Sequence, residues 1–275
     1  MKSFVYIVCW EDVLENVLDI EKHFLEHETP HKIINSGLTQ NERWDNVGDI
    51  RYYRQFYHAL KSFDYDKYDY MGFLCGDVSY NEWPKFLDRV EDVLSSYEDV
   101  GLYAPRLTFM PVNQKVTELK KLKNDQDLIV SIHTDGIFYY IHKDIAQSIL
   151  TFFNIINKNL DLSKMISGWG IDTVAAITSI SNNKAIICDN KHVLNHPEES
   201  SYDHMMAKEE NKIFLEEYVK YMKSNNEDYS DMKFYQAKFK TRFMFQDNNT
   251  KKFLMNIEDF YTNLPKHFEL EEFDN

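Results

Sequence analysis

Four short segments carry the residues whose types and spacing could do chemistry. The first is Cys75-Gly76-Asp77-Val78, directly after the apolar run at 70–74 (YMGFL). Open parallel sheets bind ligands beyond the carboxyl ends of their strands. An Asp there can hold a divalent cation against a diphosphate, because hard cations prefer carboxylate oxygen. Gly76 would let the backbone come close to that ligand. The bland alternative is a strand end followed by a capping turn. The second segment is Thr134-Asp135-Gly136-Ile137-Phe138. Here Gly136 could bring backbone beside a sugar or phosphate, with Asp135 bonding hydroxyls, or it could be an ordinary turn or bulge. The third is Ser167-Gly168-Trp169-Gly170-Ile171-Asp172, which opens a helix. Asp172 reads either as the N-cap or as a general base for an acceptor hydroxyl. Trp169 between two glycines offers a ring for a sugar to stack on. The fourth is His196-Pro197, shortly after the run at 185–188 (AIIC) and Asp189. A neutral imidazole at a strand end can complete a metal shell. His192 and His204 compete for that part, and three His without Cys at this spacing make no zinc signature.

These segments need elements to position them. The spacing of apolar residues predicts strands at 4–9, 31–35, 70–74 and 101–105, alternating with helices at 13–26, 51–63 and 83–97. Pro84 suits a first helical turn. Strand-helix alternation implies a largely parallel sheet. The pattern then changes. Residues 113–127, with the charged run KKLKNDQD, read as an exposed loop. Strands are expected at 128–132, 137–141 and 185–188, and helices at 143–157, 172–181 and 205–223. The tail at 233–253 reads as a basic, aromatic hairpin. With no clean linker, the chain divides into fused parts: a ligand-binding half at 1–112, a second half at 113–224 and a C-terminal extension at 225–275.

Composition narrows the function classes. The chain has 275 residues, 43% of them hydrophobic, enough for a globular core. A net charge of -14 repels phosphate backbones, which disfavours wholesale nucleic-acid binding. Cys9, Cys75 and Cys188 are widely spaced, with no CxxC, and read as buried thiols of a reducing compartment. The apolar run at 4–10 is too short, and too soon acidic, for a signal peptide, and no stretch is long enough to span a membrane. The expected location is cytoplasmic.

Taken in order, the four segments resemble the shared core of GT-A fold nucleotide-sugar glycosyltransferases, over residues 4–211. YDYMGFLCGDV resembles the segment that carries that family's DxD metal motif, DGIFYYIHKDI its glycine loop facing the donor sugar, GWGIDTV its xED base segment, and His196 its C-terminal metal ligand. The resemblance implies an α/β, GT-A-like fold: a mostly parallel Rossmann-type sheet flanked by helices, a fused mixed acceptor-side half and a C-terminal hairpin extension. It also implies Mn2+ or Mg2+ at Asp77 and His196, Asp172 as base, and Asp135, Gly136, Trp169 and Gly170 around the donor sugar. The nucleotide, as a UDP-sugar, would lie against the end of the first strand. Glu11 or Asp12 would contact its base or ribose, and Arg51 and Arg54 its phosphates, unless those arginines are simply solvated. Two departures stand out: the first Asp of DxD is Cys75, and the Glu of xED is Ile171. The acceptor stays open between a surface saccharide and a hydroxymethylated base in DNA, as in phage DNA-modifying enzymes. For DNA speak Lys238, Lys240 and Arg242, interleaved with Phe239 and Phe243. The rival reading is a non-catalytic nucleotide- or sugar-binding protein of the same fold, supported by Cys75. A two-metal phosphodiesterase lacks its dense His/Asp cluster.

Overall fold

The structure, a computed structural model, describes residues 1–109, 118–159, 168, 170–197 and 204–224. In chain order the elements are β1 (Ser3–Cys9), α1 (Leu14–Glu26), β2 (His31–Asn35), β3 (Asp45–Asn46), α2 (Tyr52–Ser62), β4 (Tyr70–Cys75), α3 (Trp83–Ser96), β5 (Val100–Leu107), β6 (Glu118–Leu122), β7 (Asp125–Ser131), β8 (Phe138–His142), α4 (Lys143–Asn159), α5 (Ile171–Ser181), β9 (Ala185–Leu194) and α6 (His204–Ser224). The nine strands form one sheet, ordered β3-β2-β1-β4-β8-β5-β9-β7-β6.

Both faces of this sheet are covered, as its near-continuous apolar strands require. Along β1, Val5, Ile7 and Cys9 face one core while Tyr6 and Val8 face the other. The first core holds Val17, Ile20 and Phe24 of α1 and Trp83, Phe86 and Val90 of α3. Their spacing of three and four residues puts each set on one helix face. The second core takes buried faces of α2, α4, α5 and α6. Of these, α5 is buried almost all round, from Thr173 to Ile180, so the residues of its first turn have little room to move. The three cysteines are buried and form no disulfide with one another.

The sheet is mixed, and this corrects the expectation of a mostly parallel one. β8 lies between β4 and β5 and runs antiparallel to both, and the β6–β7 hairpin joins β9 antiparallel. An apolar run such as FYYIH has no direction of its own; the link before it decides. β7 and β8 run the same way with β9 and β5 between them, so residues 132–137 carry the chain back across both strands. The exposed loop expected at 113–127 is also corrected over its described part. Residues 118–122 and 125–131 pair as a hairpin at the sheet edge, where Lys121 and Lys123 stay in water. A polar edge strand hides its period behind the solvated charges that protect such edges.

One consequence of the topology matters for function. β1, β2, β4, β5 and β9 all point the same way, so their carboxyl ends share one edge, where β8 begins. Near that edge β9 is irregular: its register against β5 shifts between Pro105↔Asp189 and Arg106↔Val193. Extra residues of this kind bend a strand and re-aim the chain beyond them. The bend is held by the buried carboxylate of Asp189. Its Oδ2 accepts from Arg89 Nε at 2.7 Å and from the Tyr103 hydroxyl at 2.9 Å, and its Oδ1 accepts the Lys191 N–H at 2.9 Å. Arg89 also reaches Asp125 Oδ2 at 2.6 Å, which joins α3, β5, β7 and β9 in one network.

Arg89→Met keeps the length of the side chain and strands the Asp189 charge. Breaking a buried pair in this way costs about 3 kcal/mol, and urea unfolding at neutral pH should show it. The pH dependence has a definite sign. Burial alone would raise the Asp125 carboxyl, but Arg89 holds it below its ordinary 3.8. That contribution is complete above 3.8 and fades as pH falls through the lowered folded value. The gap between wild type and variant should therefore narrow in acid. An unchanged urea midpoint would remove the network from the account of the bend.

Candidate active site

The bent end of β9 delivers His196. Asn195 pairs with Ser79, each N–H donating to the other's carbonyl at 2.9 Å. The His196 N–H donates to Thr108 Oγ1 at 3.0 Å, and its ring lies parallel to Phe109. From the other side, β4 delivers Asp77. Asn16 of α1 donates to the carbonyls of Gly76 and Val78, at 2.6 and 2.8 Å, and so clamps the peptides on both sides of Asp77. His196 Nε2 and Asp77 Oδ2 end up 3.5 Å apart. Gly76 serves this packing. A Cβ there would sit 2.4 Å from the Val8 carbonyl oxygen and 2.5 Å from Val17, so the close approach it permits is to β1 and α1, which corrects the expected approach to a ligand.

The pair has spare capacity. Asp77 Oδ1 and His196 Nδ1 are buried and have no hydrogen-bond partner, a costly state that invites a further ligand. One carboxylate and one imidazole suit a divalent cation such as Mn2+. Among the described residues no group of three or more His, Cys, Asp or Glu could hold a metal. With two ligands from this pair, others could come from phosphate oxygens and water, a usual arrangement for nucleotide-bound cations. His192 lies apart in the strand itself, its Nδ1 bonded to the Tyr80 hydroxyl at 2.9 Å and its ring packed against Tyr80 and Phe86. The side chain of His204 lies outside the described residues.

Asp172 stands at the same edge, in the first turn of α5. The N-cap is Gly170, at φ 103°, and not Asp172 as the sequence suggested. Asp172 Oδ1 instead accepts the N–H of Thr173 at 2.8 Å, and Oδ2 lies 3.2 Å from His133 Nε2. The neighbouring Gly168 has φ +69°, and a Cβ there would meet the Tyr52 ring at 2.4 Å. Left-handed backbone and the Tyr52 ring thus account for both glycines around position 169. Trp169 itself lies outside the described residues. The glycine loop is close by: a Cβ on Gly136 would lie 3.5 Å from Asp172 Cβ and 3.0 Å from the Tyr52 hydroxyl. That hydroxyl donates to the Gly136 carbonyl. Burial first, then Tyr139, Cys75 and Asp172, push the Tyr52 phenol well above its ordinary value, so it remains a donor. Asp135 is buried beside this loop. Burial, then the charges of Asp77 and Asp135, push the Cys75 thiol well up. Cys75 is therefore a neutral thiol near two carboxylates, and the Asp77–His196 pair and the Gly136 loop are electrostatic neighbours.

The remaining candidates differ in what they are free to do. Glu11 is committed: its carboxylate accepts the N–H of Leu38 at 2.9 Å and the Thr39 hydroxyl at 3.3 Å, which shapes the loop after β2. Asp12 is exposed in the short turn before α1. Arg51 and Arg54 are exposed at the start of α2, and no ion pair to either is found among the described residues. Tyr52 places that helix start against the Gly136 loop. The basic residues Lys238, Lys240 and Arg242 lie outside the described residues, as does the whole extension at 225–275. Sequence reading missed His133 and Tyr52, since neither belongs to a motif and only the fold brings them to Asp172 and Gly136.

By sequence, the chain matches no protein-family profile and no characterised protein. Solved structures similar to it include S. aureus TarS residues 1–349, at 9% identity and TM-score 0.44, covering 96% of this chain and 81% of that one. GalNAc-T7 with UDP, GalNAc and Mn2+ is similar at 10% identity and TM-score 0.44, covering 96% of this chain and 58% of that one. UDP-glucose pyrophosphorylase complexed with UDP-glucose is similar at 7% identity and TM-score 0.43, covering 78% and 99%. Each is a distant likeness, and the chemistry of the site must be argued from this chain's own residues. No described helix is long and apolar enough to cross a membrane.

If Asp77 and His196 share a cation with a diphosphate, Asp77→Ala and His196→Ala should each weaken UDP binding in Mn2+ by roughly tenfold or more, the usual cost of disturbing a metal shell. Without Mn2+ the variants should match wild type. Calorimetry with UDP under both conditions reads this out. Equal affinities throughout would reduce the pair to a contact between two loops.

Proposed function

We propose that this protein is a nucleotide-sugar glycosyltransferase that moves a sugar from a UDP-sugar to an acceptor hydroxyl by direct, inverting displacement. The observation that carries the reading is the convergence at one sheet edge of two groups. One is the Asp77–His196 pair, with its two buried unpartnered atoms. The other is the anchored carboxylate of Asp172, beside a glycine loop. The first suits a cation and a diphosphate, the second a proton acceptor, and a glycosyl transfer needs both. A Mn2+ or Mg2+ ion held by Asp77 and His196 would neutralise the charge that builds on the departing diphosphate. Asp135, Gly136 and Gly170 orient the donor sugar, and Trp169 offers a ring for it to stack on. Arg51 and Arg54, unpaired by other described residues at the same edge, meet the phosphates. Asp12 lies at the end of the first strand, where the nucleoside would sit, while Glu11 holds the loop that walls it.

Asp172 takes the acceptor's proton. The acceptor oxygen attacks the anomeric carbon on the face opposite the departing diphosphate, the bond to that phosphate oxygen breaks, and the configuration inverts. A carboxylate is favoured at a helix N-terminus. A modest base suffices, because the hydroxyl gives up its proton only as the new bond forms. The net charge of -14 favours a saccharide over DNA as acceptor, so DNA enters as a control arm.

Asp172→Asn preserves size and most hydrogen bonding. Transfer from a panel of UDP-sugars in Mn2+, offered to saccharides and to hydroxymethylated DNA, should fall by about a hundredfold or more. UDP affinity and melting temperature should stay near wild type. A slight loss of stability with normal turnover would return Asp172 to a helix-end role and remove the catalytic reading. Transfer to DNA but not to saccharides would reverse the choice of acceptor.

A further inference from the structure

His133 is a buried imidazole to which the proposed sugar transfer gives no task, and any part it plays in that transfer rests on Asp172 being the base. The His133 side chain is 3% exposed. It sits in the link that carries the chain from β7 back to β8. Its backbone is fixed by Ser131, whose Oγ donates to the His133 carbonyl at 2.7 Å and accepts the His133 N–H at 3.3 Å. The ring then meets the first turn of α5. Its Nε2 lies 3.2 Å from Asp172 Oδ2 and 3.4 Å from Thr173 Oγ1. On the other side of the carboxylate, Oδ1 accepts the Thr173 N–H at 2.8 Å. The two oxygens of Asp172 therefore have separate donors, from two elements far apart in sequence.

That arrangement exceeds what a helix end requires. A carboxylate that satisfies first-turn N–H groups needs only those donors. The carboxyl torsion of Asp is broad and roughly two-fold, so a single anchor leaves its plane free to swing. A second anchor on Oδ2 fixes the plane, and at 16% exposure the carboxylate still keeps an open side for a reactant. Proton transfer depends steeply on such placement.

We infer that His133 is the positioning residue of the base: its Nε2–H, donated to Asp172 Oδ2, sets the carboxylate orientation from which Oδ1 or Oδ2 takes the acceptor's proton. His133 keeps its own proton throughout. The acceptor O–H bond breaks, its electron pair forms the new bond to the anomeric carbon as the bond from that carbon to the diphosphate oxygen breaks, UDP leaves with that pair, and the proton ends on Asp172. The residue acts through Asp172 and touches no reactant.

The test uses the full chain in Mn2+ with UDP-glucose, UDP-galactose and UDP-N-acetylglucosamine as probes, water as acceptor, and UDP release as the signal. Four variants are compared: His133→Leu, His133→Gln, Asp172→Asn and the double variant His133→Leu with Asp172→Asn. His133→Leu fills the space without a donor and should lower kcat by roughly tenfold, the scale on which partners of a catalytic group matter, with KM for the donor unchanged. His133→Gln, whose amide can donate to Oδ2, should restore most of that rate. In the Asp172→Asn background His133→Leu should cost nothing further, because its effect passes through the carboxylate. Melting temperatures identify any variant that fails to fold, and His133→Gln keeps the question open to measurement if His133→Leu does. A normal kcat in a folded His133→Leu, or an equal loss in both backgrounds, overturns the positioning role and leaves the glycosyltransferase reading standing. Normal turnover in Asp172→Asn, or no hydrolysis of any probe by wild type, overturns that reading and this inference with it.

Discussion

The site depends on one buried carboxylate. Asp189 lies inside the sheet, where an unpaired charge is prohibitive, and Arg89, Tyr103 and the Lys191 N–H all bond to its carboxylate. Those bonds hold β9 in its bend. The bend decides where Asn195 meets Ser79, and that pairing decides where His196 lies relative to Asp77. The contact between Asp77 and His196, 119 positions apart, is thus secured by a charge that touches neither residue. Arg89 extends the same constraint to the edge hairpin through Asp125.

The second half of the site rests on packing. α5 is enclosed by the sheet and by α4 and α6, so its first turn cannot drift. Gly168 and Gly170 supply the left-handed backbone that lets the chain enter that enclosed helix, and Tyr52 fills the space a side chain at Gly168 would need. The same tyrosine bonds the Gly136 carbonyl, so the Gly136 loop and the helix start are fixed against each other. Catalytic geometry held by rigid elements needs few loop residues to maintain it.

Much of this was legible in the sequence. Runs such as FVYIVC and YMGFL are apolar throughout, and strands buried on both faces have no other way to read. Their ends, and hence the placement of Asp77, come directly from where the apolar runs stop. The helices at 13–26, 51–63 and 83–97 were visible because one apolar face repeats at helical spacing, and each differs from the observed element by only a residue or so at its ends. The direction of β8 was not legible, since FYYIH packs equally well either way and a distant link sets its sense. The β6 hairpin was hidden because an edge strand as charged as ELKKL resembles a loop. The part played by Asp189 was hidden too, as nothing in CDNKHV says that its carboxylate faces inward to Arg89. His133 left no signal, because the contact that gives it meaning spans 39 residues of sequence. For Gly168 and Gly170 the demand for unusual backbone was visible, while its cause, Tyr52, was not.

The central claim is that Asp77 and His196 together hold a cation against the diphosphate of a nucleotide-sugar. Anomalous diffraction at the manganese edge, from crystals of the full chain grown with UDP and Mn2+, addresses it most directly. The account predicts one strong peak at a coordination distance on the order of 2 Å from an Asp77 oxygen and a His196 nitrogen, with the UDP phosphates completing the shell. UDP bound at this edge with no manganese at the pair, or manganese held elsewhere in the fold, would contradict it.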